Sequence, residues 1–337
     1  MAARSGRRVL VTGAAGFIGY HVAERLLKDG AAVNGIDNLN DYYDVSLKER
    51  RLERLSAHER FAFARVDLAD AAAVMREVSL VKPDVVIHLG AQAGVRYSLE
   101  NPRAYASSNI DGFLSVLEAV RAHPVEHLVY ASSSSVYGAN TKVPFAETDP
   151  VERPVSLYSA TKRSNELMAR TYAHLFGIPS SGLRFFTVYG PWGRPDMAYY
   201  SFTKAILEGR PIDVFNHGKL RRDFTYVDDV VEAIARLIDC PPDAALRAKI
   251  GDPETAPHVI YNVGNHTPVD LGDFIATIER ATGRSAQKVM KPMQPGDVLE
   301  TYADVTRLAA VTGFAPKTPL DEGIRRFVDW YKASNAR

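Results

Sequence analysis

Arg8-Val9-Leu10-Val11-Thr12 is a short apolar run, followed at once by Gly13-Ala14-Ala15-Gly16-Phe17-Ile18-Gly19 and an apolar-periodic stretch to about Lys28. A buried strand, a glycine turn and an amphipathic helix in that order make the first half of a right-handed β-α-β unit, which leaves few folds open. Gly13, Gly16 and Gly19 let the backbone turn tightly and approach a pyrophosphate. Its charge is favoured by the unpaired N–H groups of a helix that starts at Phe17 and Ile18. The spacing, G-x-x-G-x-x-G, is one residue longer than the general G-x-G-x-x-G dinucleotide pattern.

A second strand, Ala31 to Ile36, ends in Asp37-Asn38. Asp37 thus falls where an acid accepts the hydroxyls of an adenosine ribose, and an acid there repels a 2′-phosphate, so the pattern points to NAD rather than NADP. Further apolar strands are expected at Phe61 to Arg65, Val85 to Leu89, Glu126 to Ala131 and Ser181 to Phe185, with helices between them. The alternation predicts an α/β fold, a doubly wound parallel sheet of Rossmann type with right-handed crossovers. Asp67-Leu68 and Leu89-Gly90-Ala91 then sit at its C-terminal edge, facing adenine and pyrophosphate or ribose.

After Gly190 the texture changes to proline- and glycine-punctuated segments, expected to build a smaller mixed α/β substrate-binding lobe. Helices are expected at Asp228 to Asp239, Leu271 to Thr282, Val305 to Val311 and Leu320 to Ala333, and a strand at Val259 to Val263 that rejoins the sheet. Residues 1–185 read as the NAD-binding domain, with returning segments near 212–240 and 258–265, and residues 186–337 as mainly the substrate lobe, interleaved with the first. Lys48 to Arg60, rich in both signs of charge, reads as a solvated helix face.

A formal net charge of +1, with no basic stripe, argues against a nucleic-acid surface. Met1 to Arg8 is short and polar, with no signal peptide, and no apolar run approaches the ~20 residues of a membrane span. Cys240 is the only cysteine, so neither an intrachain disulfide nor a cysteine-based zinc site is available. His123 and His127 are separated by Pro124, which disfavours a metal-binding helix. The expectation is a cytoplasmic, metal-free protein.

Tyr158 and Lys162 stand four apart at the opening of an expected helix, on one face. A free tyrosine titrates near ~10, so a phenolate at neutral pH needs roughly three units of depression, about 4 kcal/mol. A neighbouring ammonium supplies part of that, and a positively charged nicotinamide ring more. Upstream, Val129-Tyr130-Ala131 leads into Ser132, Ser133, Ser134 and Ser135, then Val136-Tyr137-Gly138: a strand ending in hydroxyls, at the sheet edge where ligands are handled.

With Asn109 in Asn109-Ile110-Asp111-Gly112 and with Arg222-Asp223-Phe224 added in order, the chain resembles extended short-chain dehydrogenase/reductases over essentially its whole length. Among these it is most similar to nucleotide-sugar 4-epimerases. The segment Arg184 to Met197, containing Tyr189-Gly190-Pro191-Trp192-Gly193-Arg194-Pro195-Asp196, looks like that of UDP-glucuronate 4-epimerases. The resemblance implies Ser133 as catalytic hydroxyl, Tyr158 as base, and Lys162 as the residue that binds ribose and lowers the tyrosine pKa. Asn109 falls among the cofactor-binding residues. Ser134 and Ser135 would face the sugar, Arg222 the diphosphate and Asp297 the uridine ribose. It also implies a homodimer through helices near Phe113 and Leu167.

The implied reaction abstracts the C4 hydroxyl proton through Tyr158 while hydride leaves for NAD⁺; the 4-keto sugar turns over and takes hydride back on its other face. A 4-keto glucuronate is a β-keto acid prone to lose CO₂, and Arg194 with Thr187 is expected to hold its carboxylate near the ketone plane, where the breaking bond overlaps poorly with the carbonyl. Related decarboxylases and dehydratases carry an acid after the catalytic hydroxyl. Here that place is Ser134, a poor general acid or base. The rival readings are a UDP-glucose/UDP-galactose 4-epimerase, a UDP-glucuronate decarboxylase, and a noncatalytic NAD-sensing protein.

Overall fold

The computed structural model describes residues 6–294 and 296–335. Met1 to Ser5, which open the polar N-terminal stretch, and Pro295 lie outside the described residues.

Strands β1 (Arg8–Thr12), β2 (Ala32–Asp37), β3 (Phe61–Arg65), β4 (Val85–His88), β5 (His127–Ser133) and β6 (Ser180–Phe185) form a parallel sheet. Its order is 3-2-1-4-5-6, extended at the β6 edge by a seventh parallel strand. Alternate residues of β1 feed opposite cores, Val9 and Val11 one, Leu10 the other, because both sheet faces are covered by helices. The strand order reverses between β1 and β4, so the crevice for a ligand opens beyond their C-terminal ends.

The smaller lobe is built from β7 (Thr187–Tyr189), β8 (Ile212–Val214) and β9 (Arg221–Tyr226). The chain then returns as β10 (His258–Val263) to become that seventh strand beside β6, and ends the lobe with β11 (Pro268–Asp270) and β12 (Lys288–Met290). β9 pairs with β7 and β11, and β8 with β12. Helix Leu271–Thr282 lays Phe274 flat on Phe224, with ring centroids 4.2 Å apart. Helix Val227–Leu237 packs back on Phe17–Lys28, and Arg25 joins Glu232 at 2.6 Å. Among the described residues no helix is long and apolar enough to cross a membrane.

The expected solvated face of Lys48 to Arg60 needs correction. Its helix, Val45–Ser56, is capped by Asp44 and carries exposed charges, but Lys48 is 5% exposed and Arg51 fully buried. The charge pattern misled because both side chains turn inward to saturate loop carbonyls and hydroxyls rather than water.

Candidate active site

A cleft of about 410 Å³ runs from the glycine turn, across the ends of β4 and β5, to the smaller lobe. Gly13 sits at φ +70°, and a Cβ there would lie 2.7 Å from the Gly90 nitrogen, so the turns after β1 and β4 are pressed together. At Gly19 a Cβ would lie 2.0 Å from the Gly13 carbonyl. Gly16 caps helix Phe17–Lys28 without a side-chain bond, and the first turn carries no acid, which leaves that helix start suited to an anion. Asp37 accepts the Ala15 and Leu39 N–H groups at 3.2 and 2.8 Å, and Asn38 donates to Asp67 at 3.0 Å. Gly13, Gly16, Phe17, Ile18, Gly19, Asp37, Asn38, Asp67, Leu68, Leu89, Gly90 and Ala91 all line the cleft. A glycine cradle that any Cβ would fill, with a carboxylate at the end of β2, fits a dinucleotide.

Asn109 does not line it. Buried in the π-helical turn Ala106–Asp111, it accepts the Gln92 N–H at 2.8 Å and donates to the Gln92 carbonyl and Thr161 hydroxyl, both at 3.0 Å. With its amide fully engaged, Asn109 shapes the Gln92 wall of the cleft from behind.

The hydroxyls of the serine run and of Tyr158 line the cleft between its two ends. β5 ends at Ser133, whose hydroxyl accepts the Ser135 N–H at 3.1 Å and opens a single helical turn, Ser134–Tyr137. Ser134 and Ser135 line the cleft, and the Ser135 hydroxyl is buried with no hydrogen-bond partner. Ser156 caps helix Leu157–Phe176 at the Ser159 N–H, which brings Tyr158 and Lys162 to the cleft on one face. Burial raises the Tyr158 phenol above its ordinary value, while a hydrogen bond with Ser133 and the positive charge of Arg194 pull it down. Lys162, 2% exposed, donates to the Ala131 carbonyl at 2.9 Å, and burial lowers its pKa to about 8. One helical turn further on, buried Glu166 accepts the Ser132 hydroxyl at 2.7 Å and both arms of Arg184, pinning the end of β5 to this helix.

At the far end Thr187, Arg194, Arg222 and Asp297 line the cleft, but both cations are already paired. Arg194 gives Nε and Nη2 to the two oxygens of Asp196 at 3.0 and 2.5 Å, and Asp196 also accepts the Tyr42 hydroxyl at 3.2 Å. Burial would lower the Arg194 pKa, but Asp196 outweighs it and holds the group firmly charged. Arg222 donates to Asp297 at 2.7 Å, facing the same space. Tyr42, Lys48 and Gln92 also line the cleft and were missed by the sequence reading, as was Asp196 behind Arg194. Only Asp196 left a trace there, two residues after an arginine already under suspicion.

Residues 9–264 match the family described as the NAD dependent epimerase/dehydratase family. A probable UDP-glucuronate 4-epimerase of Rhizobium meliloti is 50% identical over 335 residues, 98% of each chain. A UDP-glucuronic acid 4-epimerase of Bacillus cereus, solved with UDP-glucuronic acid and NAD, superposes with a TM-score of 0.88 at 32% identity, covering 97% of this chain and 99% of that one. A UDP-glucose 4-epimerase of Thermotoga maritima, solved with UDP-glucose, gives 0.84 at 30% identity over 97% and 99% of the two chains. With sequence match, fold and cleft in agreement, the chain belongs to the NAD dependent epimerase/dehydratase family.

Proposed function

We propose that this protein interconverts UDP-glucuronate and UDP-galacturonate by NAD-dependent epimerisation at C4. The observation that carries the reading is that Ser133, Tyr158, Lys162 and Arg194 line one cleft together with the glycine turn. Bound NAD⁺ supplies the hydride acceptor and later the donor. Tyr158, as the phenolate that the Ser133 hydrogen bond, the Arg194 charge and the positive ring of a bound nicotinamide would favour against burial, takes the C4 hydroxyl proton. Ser133 holds that oxygen in line, and Lys162 binds the nicotinamide ribose; Tyr158 returns the proton after the keto sugar has turned. Arg222 holds the diphosphate and Asp297 the uridine ribose, so the sugar is tethered at one end only. The unpartnered Ser135 hydroxyl and Ser134 receive the sugar, and Thr187 with Arg194 the carboxylate. The carboxylates lining the cleft are Asp37, Asp67 and Asp297, which this reading assigns to the nucleotide ends; Ser134 occupies the place of a second proton shuttle, supporting epimerisation over decarboxylation.

In this reading residues 1–185, with the segments returning near 212–240 and 258–265, hold NAD, and residues 186–337 mainly hold the sugar nucleotide. The protein acts in the cytoplasm as a homodimer through helices Gly112–Ala122 and Leu157–Phe176. Phe113 is buried in the core, but Leu114, Leu167, Leu175 and Phe176 leave apolar surface exposed on those helices, which supports the contact.

One observation favours a neutral-sugar 4-epimerase as second reading: Asp196 already neutralises Arg194. Proton NMR of separate incubations with UDP-glucuronate and UDP-glucose decides. UDP-galacturonate from the first alone is the expected result; UDP-galactose from the second moves the assignment to the neutral sugar, UDP-xylose to decarboxylation, and no product to a noncatalytic role.

A further inference from the structure

We propose that Arg51 is a positioning residue that makes the loop carrying Arg194 depend on the dinucleotide-binding turn. Its guanidinium is fully buried and reaches three chain segments. Nη1 donates to the Ala15 carbonyl at 2.8 Å and the Tyr43 hydroxyl at 2.7 Å, and Nη2 to the Trp192 and Gly193 carbonyls at 2.5 and 3.3 Å. Nε is buried without a partner. No carboxylate among the described residues forms an ion pair with it, so neutral dipoles alone offset a buried charge, an arrangement that is unfavourable without a counter-ion.

Ala15 lies between Gly13 and Gly16, which places this cation directly behind the turn that fits a pyrophosphate. A pyrophosphate held by that turn would bring negative charge close to this cation. On the sugar side, His21 Nε2 lies 2.9 Å from the Pro191 carbonyl, so His21 and Arg51 together capture three successive carbonyls. Burial depresses the His21 pKa to about 4, which keeps that ring a neutral donor at physiological pH. Between them Trp192 is held at φ +60°, a conformation unfavourable for a bulky side chain. Arg194 follows two residues later, its backbone N–H donating to the Tyr199 hydroxyl. Occupancy of the turn and aim of Arg194 are thus joined through one side chain.

The inference rests on Arg194 reading the sugar carboxylate, and the test separates the two. Wild type, Arg51→Met and Arg51→Lys are purified as holoenzyme, and NAD retained after gel filtration, KM and kcat for UDP-glucuronate, and the inhibition constant of UDP are measured. Arg51→Met is expected to lose most of its NAD and, with NAD resupplied, to raise KM for UDP-glucuronate about tenfold while UDP inhibition changes by less than about twofold. Arg51→Lys keeps the charge and retains NAD, but one ammonium does not span Ala15 to Trp192, so the KM rise persists. Equal weakening of UDP and UDP-glucuronate, or a Lys variant identical to wild type, overturns the proposal. Arg51→Lys alone decides it should the Met variant not fold. Wild type inert toward UDP-glucuronate overturns the functional reading instead, and NAD retention still tests Arg51.

Discussion

At the glycine turn the cleft offers an anion backbone N–H groups fixed by the fold, whereas at its far end the cations Arg194 and Arg222 arrive already paired with Asp196 and Asp297. Backbone donors cannot change partner without unfolding a helix; side-chain pairs exchange partners by rotating a few bonds. The first arrangement suits a ligand that stays, the second one that binds, turns and leaves. An epimerase needs both in one cleft, because its cofactor is regenerated in place while the sugar must present its other face.

The sharpest way to break that comparison is Tyr158→Phe, which removes the phenol proposed as proton acceptor between the two ends. Turnover should fall by at least about a thousandfold with NAD content unchanged. Retained turnover would remove Tyr158 from the chemistry, and lost NAD would show that the two ends are not separable.

Lys162→Met sharpens it from the cofactor side. The folded pKa of about 8 lies below the ordinary 10.5, so between those values the unfolded chain holds a proton the folded one has shed. Wild-type stability therefore rises with pH across that window, and the whole deficit, at most about 3 kcal/mol, is present below pH 8. Denaturant melts should find Lys162→Met more stable than wild type at pH 7, the gap closing toward pH 10.5, while turnover drops by about a hundredfold. A variant less stable at pH 7 contradicts a burial-strained ammonium.

The smallest effects belong to the exchangeable pair. Arg194→Ala should weaken UDP-glucuronate about tenfold and UDP hardly at all, and Asp196→Asn should shift preference toward UDP-glucuronate over UDP-glucose by a few-fold, in competition kinetics. Equal loss of UDP and UDP-glucuronate in Arg194→Ala removes its role in reading the carboxylate.

The two ends also differ in how plainly the chain announces them. The glycine turn, Asp37 and the serine-ended β5 follow from contiguous patterns, because a strand buried on both faces must be a short apolar run and its end must bear the loop that touches the ligand. Strands β1 and β3 have the expected limits, β5 extends two residues further to Ser133, and β10 rejoins the sheet as expected. At the far end Thr187, Arg194, Arg222 and Asp297 were named only through the family resemblance, and their pairings escaped because the parts are short strands and loops from distant stretches: Tyr42 meets Asp196 across 154 residues, and Arg222 meets Asp297 across 75. Arg51 was misread for a related reason. A charge on a charged helix looks solvated until the loops over it are folded.

The return of β10 to the edge of β6 governs how this molecule can be made and cut. Until residue 263 has left the ribosome, β6 presents an unpaired edge, a template for another chain. A fragment stopped at Phe185 would keep the glycine turn, Tyr158 and Lys162, yet expose that edge. Residues up to Phe185 are therefore not a transplantable module: a version without an open edge must carry the smaller lobe through to β10, or a designed strand in its place.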